Sequence, residues 1–330
     1  MTDLAEVAAS LMERGKGILA ADESVHTADA RLAAHGIEGG EKMRRLDRDL
    51  FLDAAGIEEY LSGVILFAET FGEKGSDKQY FATSLERRRI HAGIKVDEGT
   101  EPFPESAKET ITKGLFGLPE RFKEFKDQGA SFAKWRATFT ILGDQLPSAQ
   151  AILENCRRLA KYAREAQEYG LVPIVEPEVL MEGSHTRTRT AAVLKEVLHT
   201  LFSALDEQAV DLSGLILKTA MAVSGSKSSR QDTPQEVAEF TVEVLRAIVP
   251  PRVAGIVFLS GGQSPEVATA NLAAIVQLGR EQEVPWPLSY SFARALQEEA
   301  LAAWGGKPAQ VEAARAAFLA RLKQVAAAVA

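Results

Sequence analysis

The chain has 330 residues, 46% hydrophobic and 25% charged, with a formal net charge of −8. That is ordinary globular composition with length for one large core, and its acidic balance argues against a general nucleic-acid or acidic-membrane binder. A lone cysteine, Cys156, excludes an intramolecular disulfide and fits a reducing, cytoplasmic setting.

The opening "MTDLAEVAASLMERG" has acidic residues and an amphipathic period, with neither a basic leader nor a long apolar run. It reads as a mature helix over 2–14 and not as a signal peptide. No later stretch reaches the ~18–20 consecutive apolar residues of a membrane span. Eight β-rich runs follow in chain order. They are "KGILAADES" (16–24), "SGVILFAET" (62–70), "AGIKVDEG" (92–99), "ASFAKWRAT" (130–138), "LVPIVEPE" (171–178), "SGLILKTA" (213–220), "AGIVFLSGG" (254–262) and "PLSYSFAR" (287–294).

Helical segments separate the runs. "LENCRRLAKYA" places Cys156 on one of them, as a buried structural thiol. "DTPQEVAEFTVEVLRAI" opens on Thr233-x-x-Glu236, a capping box, with Pro234 at the first helical position. "SPEVATANLAAIVQLG" opens on Ser264 as N-cap, and a C-terminal helix is expected at about 308–329. Continuous apolar centres suit parallel strands buried on both faces. Eight β/α units in this length predict a single α/β domain over 1–330, a (β/α)8 TIM barrel, with a doubly wound open sheet as the alternative.

Polar residues end the strands: Asp22, Glu69, Lys95, Lys134, Arg136, Glu176, Glu178, Lys218, Ser260 and Arg294. Active sites of such barrels sit at that face, so these side chains are expected to converge. Residues two apart share a strand face, which pairs Lys134 with Arg136 and Glu176 with Glu178. Lys218 closes the apolar run "LSGLILK". Partial burial and a neighbouring cation such as Lys134 both favour its neutral, nucleophilic amine. A neutral amine attacks a ketone to give an imine, an electron sink for an adjacent C–C bond, and Glu176 is the candidate proton shuttle.

"LSGGQS" (259–264) is a glycine-rich turn into a helix, suited to an anion held by backbone N–H groups, and Arg294 adds a charged fork. The same letters resemble the signature loop of ABC-type ATPases. That reading needs a Walker A loop, and the nearest string, "VSGSKSS", has Ser226 where the pattern needs glycine. His26, His35, His91, His185 and His199 show no metal-binding spacing, so no metal is expected.

Together, "GKGILAADES", "GVILFAET", "GIKVDEGT", "FAKWR", "VPIVEPE", "GLILK", "FLSGGQS", "ARALQ" and "AWGGK" resemble the class I fructose-bisphosphate aldolases, in the family's order, over about residues 15–307. The resemblance implies a metal-independent lyase that reversibly cleaves fructose 1,6-bisphosphate to dihydroxyacetone phosphate and glyceraldehyde 3-phosphate. Its place would be glycolysis or gluconeogenesis. Lys218 would form the Schiff base and Glu176 would move protons, with Glu178 and Lys134 shaping the charge. Asp22 would take the C4 hydroxyl proton. Ser260, Gly261, Gly262 and Arg294 would hold the C1 phosphate, and Ser24, Arg31, Lys95 and Arg136 would surround the other.

The resemblance also implies small sugar phosphates as partners and a homo-oligomer, often a tetramer. Departures are local. Thr219-Ala220-Met221 stands where many members read Pro-Asn-Met, Val25-His26 where Thr-Gly is common, Ala30 where a basic residue is common, and Ala293 where a glycine precedes the arginine. Animal members end in a tyrosine that assists enamine protonation; "RLKQVAAAVA" contains none, so another group or water is expected to act. Sedoheptulose bisphosphate or fructose 1-phosphate as substrate, a transaldolase-type transferase and a non-catalytic sugar-phosphate sensor are the competing readings.

Overall fold

The computed structural model describes residues 3–330. In chain order the elements begin with α1 (Leu4–Leu11), β1 (Gly17–Ala21), α2 (Val25–Ala34), α3 (Glu41–Leu52), β2 (Leu61–Leu66), α4 (Ala68–Phe71), α5 (Phe81–Arg87) and β3 (His91–Lys95). A hairpin, β4 (Thr100–Phe103) and β5 (Ser106–Thr112), leads to α6 (Leu118–Asp127), β6 (Phe132–Phe139), α7 (Ala149–Glu168) and β7 (Val172–Val179). The chain continues with α8 (Arg187–Glu207), β8 (Ile216–Thr219), α9 (Pro234–Ile248) and β9 (Gly255–Phe258). It closes with α10 (Pro265–Glu281), β10 (Leu288–Phe292), α11 (Arg294–Trp304) and α12 (Val311–Ala327).

Eight parallel strands close into a barrel in the order β1-β10-β9-β8-β7-β6-β3-β2. All eight expected runs are among them, and the doubly wound alternative falls because β1 pairs with both β2 and β10. Alternation sorts the side chains. Ile18, Ile65, Phe132, Ile174, Ile216 and Val257 point inward and pack together, while Leu19, Val64, Ala133, Val175, Leu217 and Ile256 face the surrounding helices. Phe132 fills much of the interior because its neighbour on β3 is Gly93; a Cβ there would lie 2.2 Å from the Phe132 ring.

Helix α1, capped by Asp3, seats Ala8, Leu11 and Met12 against that interior layer and stops the N-terminal end of the barrel. It is shorter than the expected 2–14, and residue 2 lies outside the described residues. The capping box of α9 is present, with Thr233 accepting from the Glu236 N–H and the Glu236 side chain accepting from the Thr233 N–H. Cys156 is fully buried on α7, and burial pushes its thiol pKa up.

Three further features depart from the sequence expectations. Residues 212–214 form a 3-10 turn, so the sixth run, expected over 213–220, becomes a strand only at Ile216. The β4–β5 hairpin was not foreseen; Thr112 Oγ1 donates to the Arg136 carbonyl at 2.8 Å, fastening it beside β6 near the barrel mouth. The third concerns Glu69, which begins a helical turn after β2. Its carboxylate is taken by Arg44, at 2.6 and 2.8 Å, and it does not join the other strand-end residues. The chain leaves the strand register at Phe67, so the inward parity no longer applies there.

Candidate active site

The inward parity that buries Ile18, Phe132, Ile174 and Ile216 carries on toward the C-terminal ends of their strands. It delivers Asp22 just beyond β1, Lys134 on β6, Glu176 on β7 and Lys218 on β8 to one level. Register brings the last pair together, because Glu176 and Lys218 lie two residues beyond the partners Ile174 and Ile216. All four are at least nine-tenths buried, so water screens their charges little and pairing decides their ionisation.

Lys134 Nζ sits 2.6 Å from Asp22 Oδ2 and 3.2 Å from Glu176 Oε2, and Lys218 Nζ sits 3.1 Å from Glu176 Oε1. Burial by itself would raise the Asp22 carboxyl, but Lys134 and then Lys218 outweigh it and hold it at about 2. Burial likewise raises Glu176, and Lys134, Lys218 and Arg136 together hold it below the usual carboxylate range. For Lys134 the balance runs the other way: burial disfavours its charge, and Asp22 and Glu176 more than restore it. The group within hydrogen-bond reach of Lys218 is the expected proton shuttle, the Glu176 carboxylate, and Lys134, the cation expected nearby, braces its other oxygen. That oxygen, Glu176 Oε2, accepts no hydrogen bond among the described residues.

These groups line a cavity of about 500 Å³, together with every other strand-end and phosphate-site residue expected from the sequence except Glu69. On the β6–β7 side, Arg136 Nε donates to Glu178 Oε2 at 2.5 Å, and the guanidinium is partly open to solvent. Burial works against the Arg136 charge, and Glu178 outweighs it. Lys95 Nζ lies 2.6 Å from Asp97 Oδ1. Arg31 is paired with Glu23 and donates to Gln297 Oε1 at 2.7 Å. Ser24 caps α2 by accepting from the Thr27 N–H.

Across the cavity, Ser260, Gly261 and Gly262 form the turn between β9 and α10. Gly261 and Gly262 have φ of +59° and +92°, the left-handed region that a side chain disfavours. Neither N–H has a hydrogen-bond partner among the described residues. Arg294, the first residue of α11, leans over this turn; a Cβ on Gly262 would lie 3.5 Å from its Nη2. Two backbone donors without a partner, a helix N-terminus and a guanidinium are groups of the kind that can hold an anion.

Sequence reasoning missed several groups. Asp97 holds Lys95 and accepts from the Arg136 N–H at 3.2 Å; it lies two residues past Lys95, where the period of two would have found it. Glu23 holds Arg31 and also Arg48, the latter at 2.9 Å from a helix that sequence adjacency does not suggest. Ser291 lines the cavity with a buried hydroxyl that has no partner among the described residues, a donor kept for whatever enters. Among the described residues no group of three or more His, Cys, Asp or Glu is arranged to hold a metal ion.

The family model for class-I fructose-bisphosphate aldolase matches residues 3–330. Fructose-bisphosphate aldolase 6, cytosolic, of Arabidopsis thaliana is 48% identical over 309 residues, 94% of this chain and 85% of that protein. Human fructose-bisphosphate aldolase B is 46% identical over 320 residues, 97% of this chain and 87% of that protein. Among solved structures, fructose-bisphosphate aldolase from Plasmodium falciparum, crystallised with TRAP and a small-molecule inhibitor, superposes with a TM-score of 0.96 at 41% identity. The match covers 99% of this chain and 93% of that one.

Proposed function

The chain belongs to the class I fructose-bisphosphate aldolase family, lyases that cleave fructose 1,6-bisphosphate reversibly and without a metal ion, and we propose that Lys218 is the amine that attacks the ketose C2. The observation that carries this is the 3.1 Å contact between Lys218 Nζ and Glu176 Oε1. It gives the ammonium a direct acceptor for its proton, and so a route to the neutral nucleophile. Attack gives a carbinolamine; Glu176 returns a proton to the departing hydroxide, water leaves, and an iminium remains.

Asp22 then accepts the C4 hydroxyl proton, and the C3–C4 electrons move into the iminium to give an enamine, releasing glyceraldehyde 3-phosphate. At about 2, Asp22 is ionised throughout the neutral range and available as acceptor. Its weak basicity means that the iminium supplies the driving force. Protonation at C3 and hydrolysis of the imine free dihydroxyacetone phosphate. Lys134 stabilises both carboxylates through the sequence of transfers, and Glu178 holds Arg136 in place.

In the same reading, Ser260, Gly261, Gly262 and Arg294 bind the C1 phosphate, and Ser24, Arg31, Lys95 and Arg136 the C6 phosphate. The working form is a homo-oligomer and the compartment the cytoplasm, the latter supported by relatives named as cytosolic. Borohydride added with dihydroxyacetone phosphate should fix a secondary amine on Lys218, read by peptide mass. Retained cleavage by Lys218→Met, with no adduct on the parent enzyme, would refute the assignment.

A further inference from the structure

The turn proposed to hold the C1 phosphate must fix the direction of two unpartnered glycine N–H groups, although glycine leaves its backbone free to rotate. Its carbonyl side shows how this is done. Ser260 O accepts twice from Gln263, at 3.0 Å from its backbone N–H and at 2.9 Å from Nε2. A trans peptide sets its C=O and N–H on opposite sides, so fixing the Ser260 carbonyl fixes the direction of the Gly261 N–H.

Gln263 is itself held. Asn271, on α10 and 2% exposed, donates from Nδ2 to Gln263 Oε1 at 2.6 Å, which sets the amide so that Nε2 faces Ser260. Nε2 also lies 3.6 Å from Met221 Sδ, three residues beyond Lys218, and the Leu259 N–H donates to the Thr219 carbonyl at 3.1 Å. The turn is thereby laced to the strand that carries the amine. Neither Gln263 nor Asn271 lines the cavity.

We propose that Asn271 and Gln263 are positioning residues for phosphate recognition: Asn271 orients Gln263, Gln263 locks the Ser260–Gly261 peptide, and Met221 ties the lock to the Lys218 strand. The proposal rests on the reading that this turn holds the C1 phosphate. It accounts for the methionine of Thr219-Ala220-Met221 as a contact of the lock.

The test compares borohydride trapping on Lys218 of the full-length enzyme with dihydroxyacetone phosphate and with unphosphorylated dihydroxyacetone. In Asn271→Leu and Gln263→Met the trapping rate constant at limiting dihydroxyacetone phosphate should fall about tenfold, the worth of one or two misdirected hydrogen bonds. Trapping with dihydroxyacetone should stay unchanged, a split that general loosening of the barrel would not produce. Gln263 is only partly buried in a turn, so Gln263→Met carries the test if Asn271→Leu does not fold. Arg294→Ala is the control for the underlying reading. If it weakens the phosphorylated ketone selectively while both other variants trap like the parent, the positioning proposal is overturned and the phosphate site stands. If Arg294→Ala is also without effect, the phosphate is not held at this turn and both fall.

Discussion

Lys134→Met puts the buried charge network under a direct test. The wild-type ammonium holds two carboxylates, at 2.6 Å from Asp22 and 3.2 Å from Glu176, and is itself 3% exposed. The Asp22 carboxyl falls from 3.8 to about 2 on folding, which at 1.36 kcal/mol per pH unit favours its ionised form in the folded state by about 2 kcal/mol. Because the folded value lies below the unfolded one, that stabilisation is complete above about pH 4 and is lost as pH falls through about 2. Methionine fills similar volume but leaves Asp22 buried with its main counter-charge gone, so burial then raises its carboxyl. Glu176 keeps Lys218 and Arg136 but loses its largest counter-charge.

Removing one partner of a buried pair costs about 3–5 kcal/mol at neutral pH. Urea unfolding at pH 7.5 and pH 4.5 measures it. The deficit of Lys134→Met should be largest at pH 7.5 and shrink at pH 4.5, where the stranded carboxylates take up protons. The turnover number should fall by about 10²-fold or more, since both proton-transfer groups lose their electrostatic support. A deficit equal at the two pH values would mean that Lys134 acts through packing alone, and the charge argument would fail.

Glu176→Gln keeps the shape but cannot carry a proton, so kcat should fall by about 10²–10⁴-fold and the Lys218 adduct should form correspondingly slowly; single-turnover trapping reads both. Arg136→Ala should raise KM for fructose 1,6-bisphosphate by about tenfold or more while leaving fructose 1-phosphate nearly unaffected, and equal effects on the two ketoses would place Arg136 away from the distal phosphate. Gly93→Ala would bring a methyl to 2.2 Å from the Phe132 ring, forcing ring and strand apart at a cost of about 1–3 kcal/mol or more; an unchanged Tm would contradict the packing described for the barrel interior.

The eight barrel strands, their parallel sense and most of the residues lining the candidate site are legible in the residue pattern alone. Apolar centres bounded by turn signals mark strands buried on both faces, and a period of two fixes which strand-end residues share a face. That is why Lys134, Arg136, Glu176, Glu178 and Lys218 were legible as a set before any coordinates. Periodicity is a local property, and it fails where the chain leaves the strand. Glu69 departs from the pattern for that reason: one helical turn rotates it to Arg44.

Which of these groups pair is set by the closed barrel and not by any local stretch. Asp22 and Lys134 are separated by more than a third of the chain, yet they meet at 2.6 Å because barrel closure brings β1 and β6 across a narrow interior. The carboxylate beside Lys218, the Glu23–Arg48 contact and the Asn271–Gln263–Ser260 relay are of the same kind. Each depends on the register between elements and on burial, which sets how strongly charges and hydrogen bonds act, and neither quantity is written in a local stretch of residues.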